Sequence, residues 1–536
     1  MIKSIVKGMR VAVVSAAVFS CVFFTRSFDV AAAGAGAVSI SSATISGENV
    51  IVKISASDLP DSDDGIYYVF AEKPYQTTIA GEPVAQGAIG AGTTISLPLE
   101  KKTANFRLYD KFQIAVKQGG AFVPVSDAKY ITNPEALATS SPARKNAGKK
   151  GLILDGAKIG NGNNEAVELG VQQAAYNINI SDVVGGDGRV EYIYKGKTYH
   201  FDSSYLSQYD HAIRTSTEQG MGMTIVLLNP YAPGEEFLLS PSARDKIGSA
   251  PYYLMNTSED TGLEYLESVA SYLAMRYNGQ LGFGQVDNWV IANEVNCKDQ
   301  WNYSSITDEA TYVQLYADSF RVCYNAIKSR NANAYVCTSI DNNWTHKHSP
   351  SYYSARSLIE SFNAHIVAQG NIDWGLAAHP YNQPMTWTSF WEPKEPGMVI
   401  HSFDTPYMSM ENIEQLTDFL SQPGYRNTKG GVRPVLLTEI GYTSTQSEEA
   451  QAAAVVYAYQ RCMNNQYIKL ICFNRQTDFP LEVSQGMSVG LTRQDGTRKQ
   501  AFEYYQQMNG PNAAEYINRA AAIMGIADWG AAMNPR

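Results

Sequence analysis

The sequence predicts an α/β protein, a (β/α)8 TIM barrel preceded by a small all-β sandwich domain. Three observations carry this prediction. From residue 150 onward, short and continuously apolar segments alternate with longer amphipathic ones. Strands of that kind imply a parallel sheet covered by helices on both faces. Eight such strand–helix units fit between residues 150 and 510, within the size range of a closed barrel. A doubly wound open sheet is the rival, and no GxGxxG follows the first strand to support it.

The units read in order. GLILDG (151–156) opens the barrel, followed by NEAVELGV and the strand QQAAYNINI (172–180). A hairpin, VEYIYKGKTYHF, interrupts before a helix near 203–219 and the strand MTIVLLNP (223–230). A helix over 262–277 leads to VDNWVIANEVN (286–296), the fourth strand. The next helix, 310–330, sets Val313, Tyr316, Phe320, Tyr324 and Ile327 on one face at helical spacing. AYVCTSIDNN (334–343), DWGLAAHPYN (373–382), RPVLLTEIGYTS (433–444) and YIKLICFNRQTD (467–478) are strands five to eight, with helices near 354–369, 411–421, 447–464 and 499–509. Residues 511–536 are expected to pack on the barrel as a tail.

Residues 38–132 read differently. ENVIVKISAS, GIYYVFAEK, FQIAVKQGG and AFVPVSDAKYI alternate or run β-branched and aromatic, broken by Gly, Asp and Pro, as in a sandwich. Residues 133–149, rich in small residues, Pro and Lys, read as a linker. At the N-terminus, Lys3, Lys7 and Arg10 precede an apolar run from Val11 to Phe24 and a small-residue stretch, the order of a secretory signal over residues 1–37. That run is shorter than the roughly 20 residues a span requires, so no membrane span is expected once the leader is cleaved. The expected location is therefore secreted, extracellular or at a cell surface.

Composition narrows the partners. A net charge of −10 with no Lys/Arg stripe argues against nucleic acid. Five cysteines follow the leader, widely spaced in apolar segments, and are read as buried thiols. A monomer is expected. No organic cofactor and no metal are expected either, since the strand ends offer only one histidine, His379.

Function in such a barrel gathers where strands end at their C-terminal side. Strand three ends at Asn229, strand four at Asn293-Glu294, strand six at His379-Pro380-Tyr381, strand seven at Glu439 and strand eight at Asn474-Arg475. Asn179 holds the same place on strand two. Glu294 and Glu439 would therefore face one another across the mouth. Paired carboxylates are what glycosidic bond cleavage requires, one protonated to serve the leaving oxygen and one ionised to attack the anomeric carbon. Trp301, Tyr303, Trp344, Trp387, Phe390 and Trp391 follow strands four to six and offer rings for the apolar faces of sugars. Alone, Glu294 could merely cap the following helix; its company of polar strand ends favours chemistry.

NWVIANEVN, AAHPYN and LLTEIG together resemble the retaining glycoside hydrolases of clan A, over about residues 150–510. The barrel also resembles a bacterial secreted domain of unassigned function. The clan resemblance implies Glu294 as general acid/base, Glu439 as nucleophile and Asn293 on the sugar 2-hydroxyl. It further implies that His379 and Tyr381 contact substrate or hold the nucleophile. Strand eight departs from the clan, with Phe473-Asn474-Arg475 where many members carry Trp, and Arg475 there would suit an anionic or differently shaped substrate. The implied function is hydrolysis of a carbohydrate by double displacement; strand-end position adds Asn229, Asn179 and Arg475, and loop position Trp301 and Trp391, as further substrate contacts. The alternative is a catalytically silent barrel that binds glycan.

Overall fold

The computed structural model of the chain describes residues 37–533, and the expected secretory leader, all but its last residue, falls outside them. Eight parallel strands close into a barrel: β1 Lys150–Ile153, β2 Gln173–Asn179, β3 Gly222–Leu228, β4 Asn288–Ile291, β5 Tyr335–Ile340, β6 Gly375–Ala378, β7 Val435–Ile440 and β8 Ile468–Phe473. Pairing runs through consecutive strands and closes where Cys472 of β8 meets Gly151 of β1. The TIM barrel is thus present as expected. Ala175, Val290, Cys337, Ala377, Leu436, Leu470 and Cys472 fill its interior. Space there is tight enough to need glycine: a Cβ on Gly375 would lie 2.7 Å from Cys337 Sγ. All five cysteines in the described residues are buried and free.

Helices Ser203–Glu218, Asp260–Arg276, Glu309–Lys328, Ala355–Ala368, Glu414–Ser421, Glu448–Asn464 and Gln500–Gln507 form the outer ring. Each lies between or after strands where amphipathic periodicity placed it. The hairpin Val190–Tyr194 and Lys197–Phe201 is inserted after β2 and packs on the outer wall, Tyr192 OH meeting Ser271 Oγ at 2.9 Å. Fourth-strand pairing differs from the sequence reading. It stops at Ile291, short of residue 296, because Ala292 and Glu294 take left-handed backbone with φ of 64° and 38°.

The N-terminal region is all-β, with two antiparallel sheets. One joins Val38–Ser46, Asn49–Ala56 and Gly92–Pro98; the other joins Ala85–Ala88, Ile66–Glu72, Lys111–Gln118 and Ala121–Pro124. Alternation along Asn49–Ala56 sends Val50, Val52 and Ile54 inward, and a bulge between Ile40 and Ser42 shifts the phase of Val38–Ser46 so that both Ile40 and Ile45 face inward. The sheets abut the barrel through Asn325 Nδ2, which donates to Leu108 O at 2.9 Å, and Tyr130 N, which donates to Gln369 O at 2.9 Å.

Residues 143–148 form a strap across the N-terminal end of the barrel. Gln173 Nε2 donates to Asn146 O and Gly148 O, and Gln285 Nε2 to Ala143 O. Arg144 Nη2 donates to Asn288 Oδ1 at 2.9 Å while its guanidinium lies 4.5 Å over the Tyr335 ring. At the C-terminus, helix Ala513–Met524 sets Tyr516 edge-on to Tyr504, and Trp529 meets Tyr457. No helix among the described residues is long and apolar enough to cross a membrane.

Candidate active site

Residues leave each strand at the C-terminal mouth with alternate side chains directed inward. Ala175 faces the interior, so Asn177, two residues on, points from β2 into the mouth, where it is exposed. The same parity on β5 carries Cys337 to Ser339 and Asp341, and on β6 Ala377 to His379.

Glu294 is held in a left-handed backbone, a conformation that costs a non-glycine residue on the order of 1–3 kcal/mol and is kept mainly where surroundings enforce it. Ser339 enforces it here by accepting from Glu294 N at 3.1 Å. The carboxylate then meets His379 Nδ1 at 2.7 Å, while His379 Nε2 lies 3.1 Å from Thr438 Oγ1. Tyr381 OH donates to Glu439 Oε1 at 2.9 Å, and Asn474 Nδ2 donates to Tyr381 OH at 3.1 Å. Since Thr438 and Glu439 are adjacent in the chain, His379 links the two carboxylates' supports in one site. Asn342 Nδ2 donates to Tyr381 O at 2.8 Å and fixes the tyrosine from behind.

Burial holds the Glu294 carboxyl above its ordinary range; the His379 contact works against this, and the charges of Asp341 and Glu439 add to it. Burial also opposes charge on His379, but the Glu294 contact and the charge of Glu439 lift its pKa above the usual value. The pair therefore retains a proton that an isolated carboxylate would lose. Tyr381 is pushed up by burial and by Glu439, and remains a donor.

Asp341 organises the support behind Glu294. It accepts from Asn296 Nδ2 at 2.6 Å, Cys297 Sγ at 2.9 Å, Asn343 N at 2.9 Å and the Asn343 amide. Cys297, to which the sequence assigned no role, is thus a buried donor in that network.

Other expected site residues are placed as follows. Asn293 is half-buried and its side chain has no hydrogen-bond partner among the described residues, which leaves its amide available. Trp301, in the connection after β4, is half-buried and stacks at 6.0 Å on Tyr252 of the connection after β3, so the pair stands at the mouth end of the barrel. Asn179 donates its amide to Asp182 Oδ2 at 3.0 Å. Asn229 is corrected from substrate contact to brace, because it is 2% exposed and donates to Leu238 O and Tyr253 O, fixing the loop after β3. Trp391 is half-buried, packing edge-on to Phe390, which is stacked on Tyr442 and Tyr457. Trp344 is no rim aromatic: it is fully buried and donates to Phe403 O at 2.8 Å. Arg475 is paired with Glu482 at 2.5 Å and lies over Phe479, so its charge is already balanced and does not mark the mouth for an anion.

Asn177, Ser339 and Thr438 escaped the sequence reading. The period of two could have found Asn177 and Ser339, each an even number of residues from an interior position. Among the described residues no group of His, Cys, Asp and Glu is arranged to hold a metal ion.

A family model described as "Family of unknown function (DUF5722)" matches residues 142–532. No curated protein sequence matches significantly. Among solved structures, a family 39 glycoside hydrolase from Bacteroides cellulosilyticus WH2 is similar at 14% identity and TM-score 0.45, over 84% of this chain and 78% of that one. The exo-beta-1,4-mannosidase Op5Man5 from Opitutaceae bacterium strain TAV5 is similar at 14% identity and TM-score 0.42, over 69% of this chain and 59% of that one. A beta-glucosidase from Pyrococcus furiosus is similar at 15% identity and TM-score 0.44, over 68% and 86%. Likeness this distant says nothing of chemistry, and the barrel is established by its own strand pairing.

Proposed function

The chain belongs to DUF5722, a family of unknown function, and we propose from its site that it is a glycoside hydrolase acting with retention. The observation that carries this reading is the unequal treatment of two carboxylates in one mouth. Glu294 is desolvated and shares a proton with His379, whereas Glu439 accepts from Tyr381 and Asn474. Environments that differ in this way give two glutamates opposite roles.

Glu294 donates a proton to the glycosidic oxygen as the bond to the anomeric carbon breaks. Glu439 attacks that carbon and forms a glycosyl ester. Glu294, now ionised, then takes a proton from water as the water attacks the ester, releasing sugar and restoring both side chains. Tyr381 orients Glu439 for attack. Asn293, without a hydrogen-bond partner among the described residues, is available to the sugar 2-hydroxyl, and the Tyr252–Trp301 pair to an adjoining ring. Export from the cell, with cleavage before the β-domain, belongs to the same proposal.

The test is a hydrolysis screen of the full mature chain on a panel of glycans, with product stereochemistry read by NMR and Glu439→Gln as control. The expected result is release of a sugar whose anomeric configuration is retained, absent from the variant. Hydrolysis of nothing by the parent, with glycan binding that survives both Glu294→Gln and Glu439→Gln, overturns it in favour of a silent binding barrel. An inverted product overturns the nucleophile assignment.

A further inference from the structure

A second concavity shares no residue with the mouth. It opens where the β-domain, the segment before the barrel and the inserted hairpin meet, with a volume of about 500 Å³. Four cations line it, Lys101, Lys102, Lys195 and Arg330, and no acidic side chain does. That is unexpected in a chain of net charge −10. Phe106 and Ile193 give it apolar surface, and Ile193 is 74% exposed on the hairpin. Thr139 and Ser329 add hydroxyls.

The four cations are not equivalent. Lys101 is paired with Glu48 at 2.9 Å and Lys195 with Glu267 at 2.8 Å, both acids lying outside the lining. Arg330 touches only neutral groups, donating from Nε to Ser271 Oγ at 3.1 Å and from Nη2 to Tyr192 OH at 3.0 Å. Neither Lys102 nor Arg330 forms an ion pair among the described residues. Two residues of the lining thus carry cations that no acid answers with an ion pair among the described residues.

The wall is also pre-formed. Lys195 and Gly196 have φ of 53° and 77°, the pair of positive values that a tight two-residue hairpin turn requires. A Cβ on Gly196 would lie 3.4 Å from Lys102 O, so the turn is seated against the β-domain loop that carries Lys102. The volume suits a small ligand, in the usual range of about 300–1,000 Å³. Hydroxyls and apolar surface beside fixed cations suit a pyranose ring carrying an anion.

We propose that this cavity binds an anionic saccharide unit, bearing a carboxylate or a sulfate, and holds glycan away from the catalytic mouth. The proposal rests on the reading of the protein as carbohydrate-active. Its test is calorimetric titration of the full mature chain with oligogalacturonate, with sulfated dextran oligomer and with neutral dextran oligomer of matched length. The acidic oligomers are expected to bind and the neutral one not; binding of the first alone assigns a carboxylate, of the second alone a sulfate. Lys102→Glu, at an exposed turn, is expected to weaken binding at least about ten-fold. Arg330→Gln, with folding followed by Tm, gives a second variant, and Glu439→Gln should bind like the parent. Failure of both acidic oligomers to bind, equal binding of neutral dextran, indifference to Lys102→Glu or loss in Glu439→Gln each overturns the cavity. Absence of hydrolysis with Lys102-dependent binding intact overturns the catalytic reading alone.

Discussion

Both ends of the barrel carry buried polar side chains, yet they use them differently. At the N-terminal end, Asn288 accepts from Arg144 and donates to Thr224 Oγ1, Asp287 accepts from Gln285 and from Lys145 N, and Gln173 donates to the strap. Nearly every group there is answered by another protein group, Arg144 Nη1 and Gln173 Oε1 being exceptions. At the mouth, Asn293 has no partner among the described residues, Asn177 is exposed, and Glu294 keeps solvent access on 14% of its side chain. Polarity at a strand end is therefore no sign of chemistry by itself. Hydrogen-bonding capacity left open beside a group with a perturbed proton affinity is the better sign.

The largest test of this contrast is Glu439→Gln. It should remove hydrolysis to the limit of detection while leaving Tm unchanged or higher, because it relieves a charge that Glu294 feels. Glu294→Gln comes next, with kcat on natural leaving groups falling about 10²–10⁴-fold. In the parent, the acid must hold its proton, so kcat/KM should fall as pH rises through the raised Glu294 pKa, above the ordinary carboxylate range. That alkaline limb should vanish in Glu294→Gln. A limb that persists would assign the acid to another group. Tyr381→Phe removes one hydrogen bond to a charged group, worth about 1.5–3 kcal/mol, so kcat should drop roughly 10- to 100-fold. An unchanged rate would mean that Asn474 alone positions Glu439.

Much of this arrangement was legible in the sequence, for physical reasons. Continuous apolar strands and helical spacing fix a parallel barrel, and a barrel fixes which end is functional, so Glu294, His379, Tyr381 and Glu439 could be grouped from strand order. Burial of loop residues was not legible. Trp344 and Asn229 occupy expected rim positions, yet later loop segments fold over them through Phe403 and through Leu238 and Tyr253, contacts distant or irregular enough to leave no periodic trace. Arg475 looked available for an anion because its partner, Glu482, lies on a short helix, Pro480–Ser484, in an excursion after β8 whose course strand–helix periodicity does not determine. Asn177, in contrast, could have been read: counting twos from Ala175 reaches it, whereas the eye goes to Asn179 at the strand's last residue.

The smallest effect on activity should come from the opposite end of the barrel. Arg144→Met keeps the aliphatic stem over Tyr335 and removes the hydrogen bond to Asn288 and the cation–π contact, at a cost of about 1–3 kcal/mol. Its pH dependence has a definite sign. Asp287 is held above its ordinary pKa by burial, and Arg144 is the leading influence that lowers it. In the folded state of the variant, Asp287 should bind its proton still more tightly. A group whose folded pKa exceeds its unfolded one loses stability as pH rises between the two, so the variant's deficit should be small in acid and widen as pH passes above the ordinary carboxylate range. Thermal melts of parent and variant across that range measure it, with kcat and KM on the same glycan expected to stay within about two-fold, since no reacting group is disturbed. A deficit that does not change with pH would mean that Lys145 N and Gln285, not Arg144, stabilise the charge on Asp287, and that the two ends of the barrel differ less than their hydrogen bonds imply.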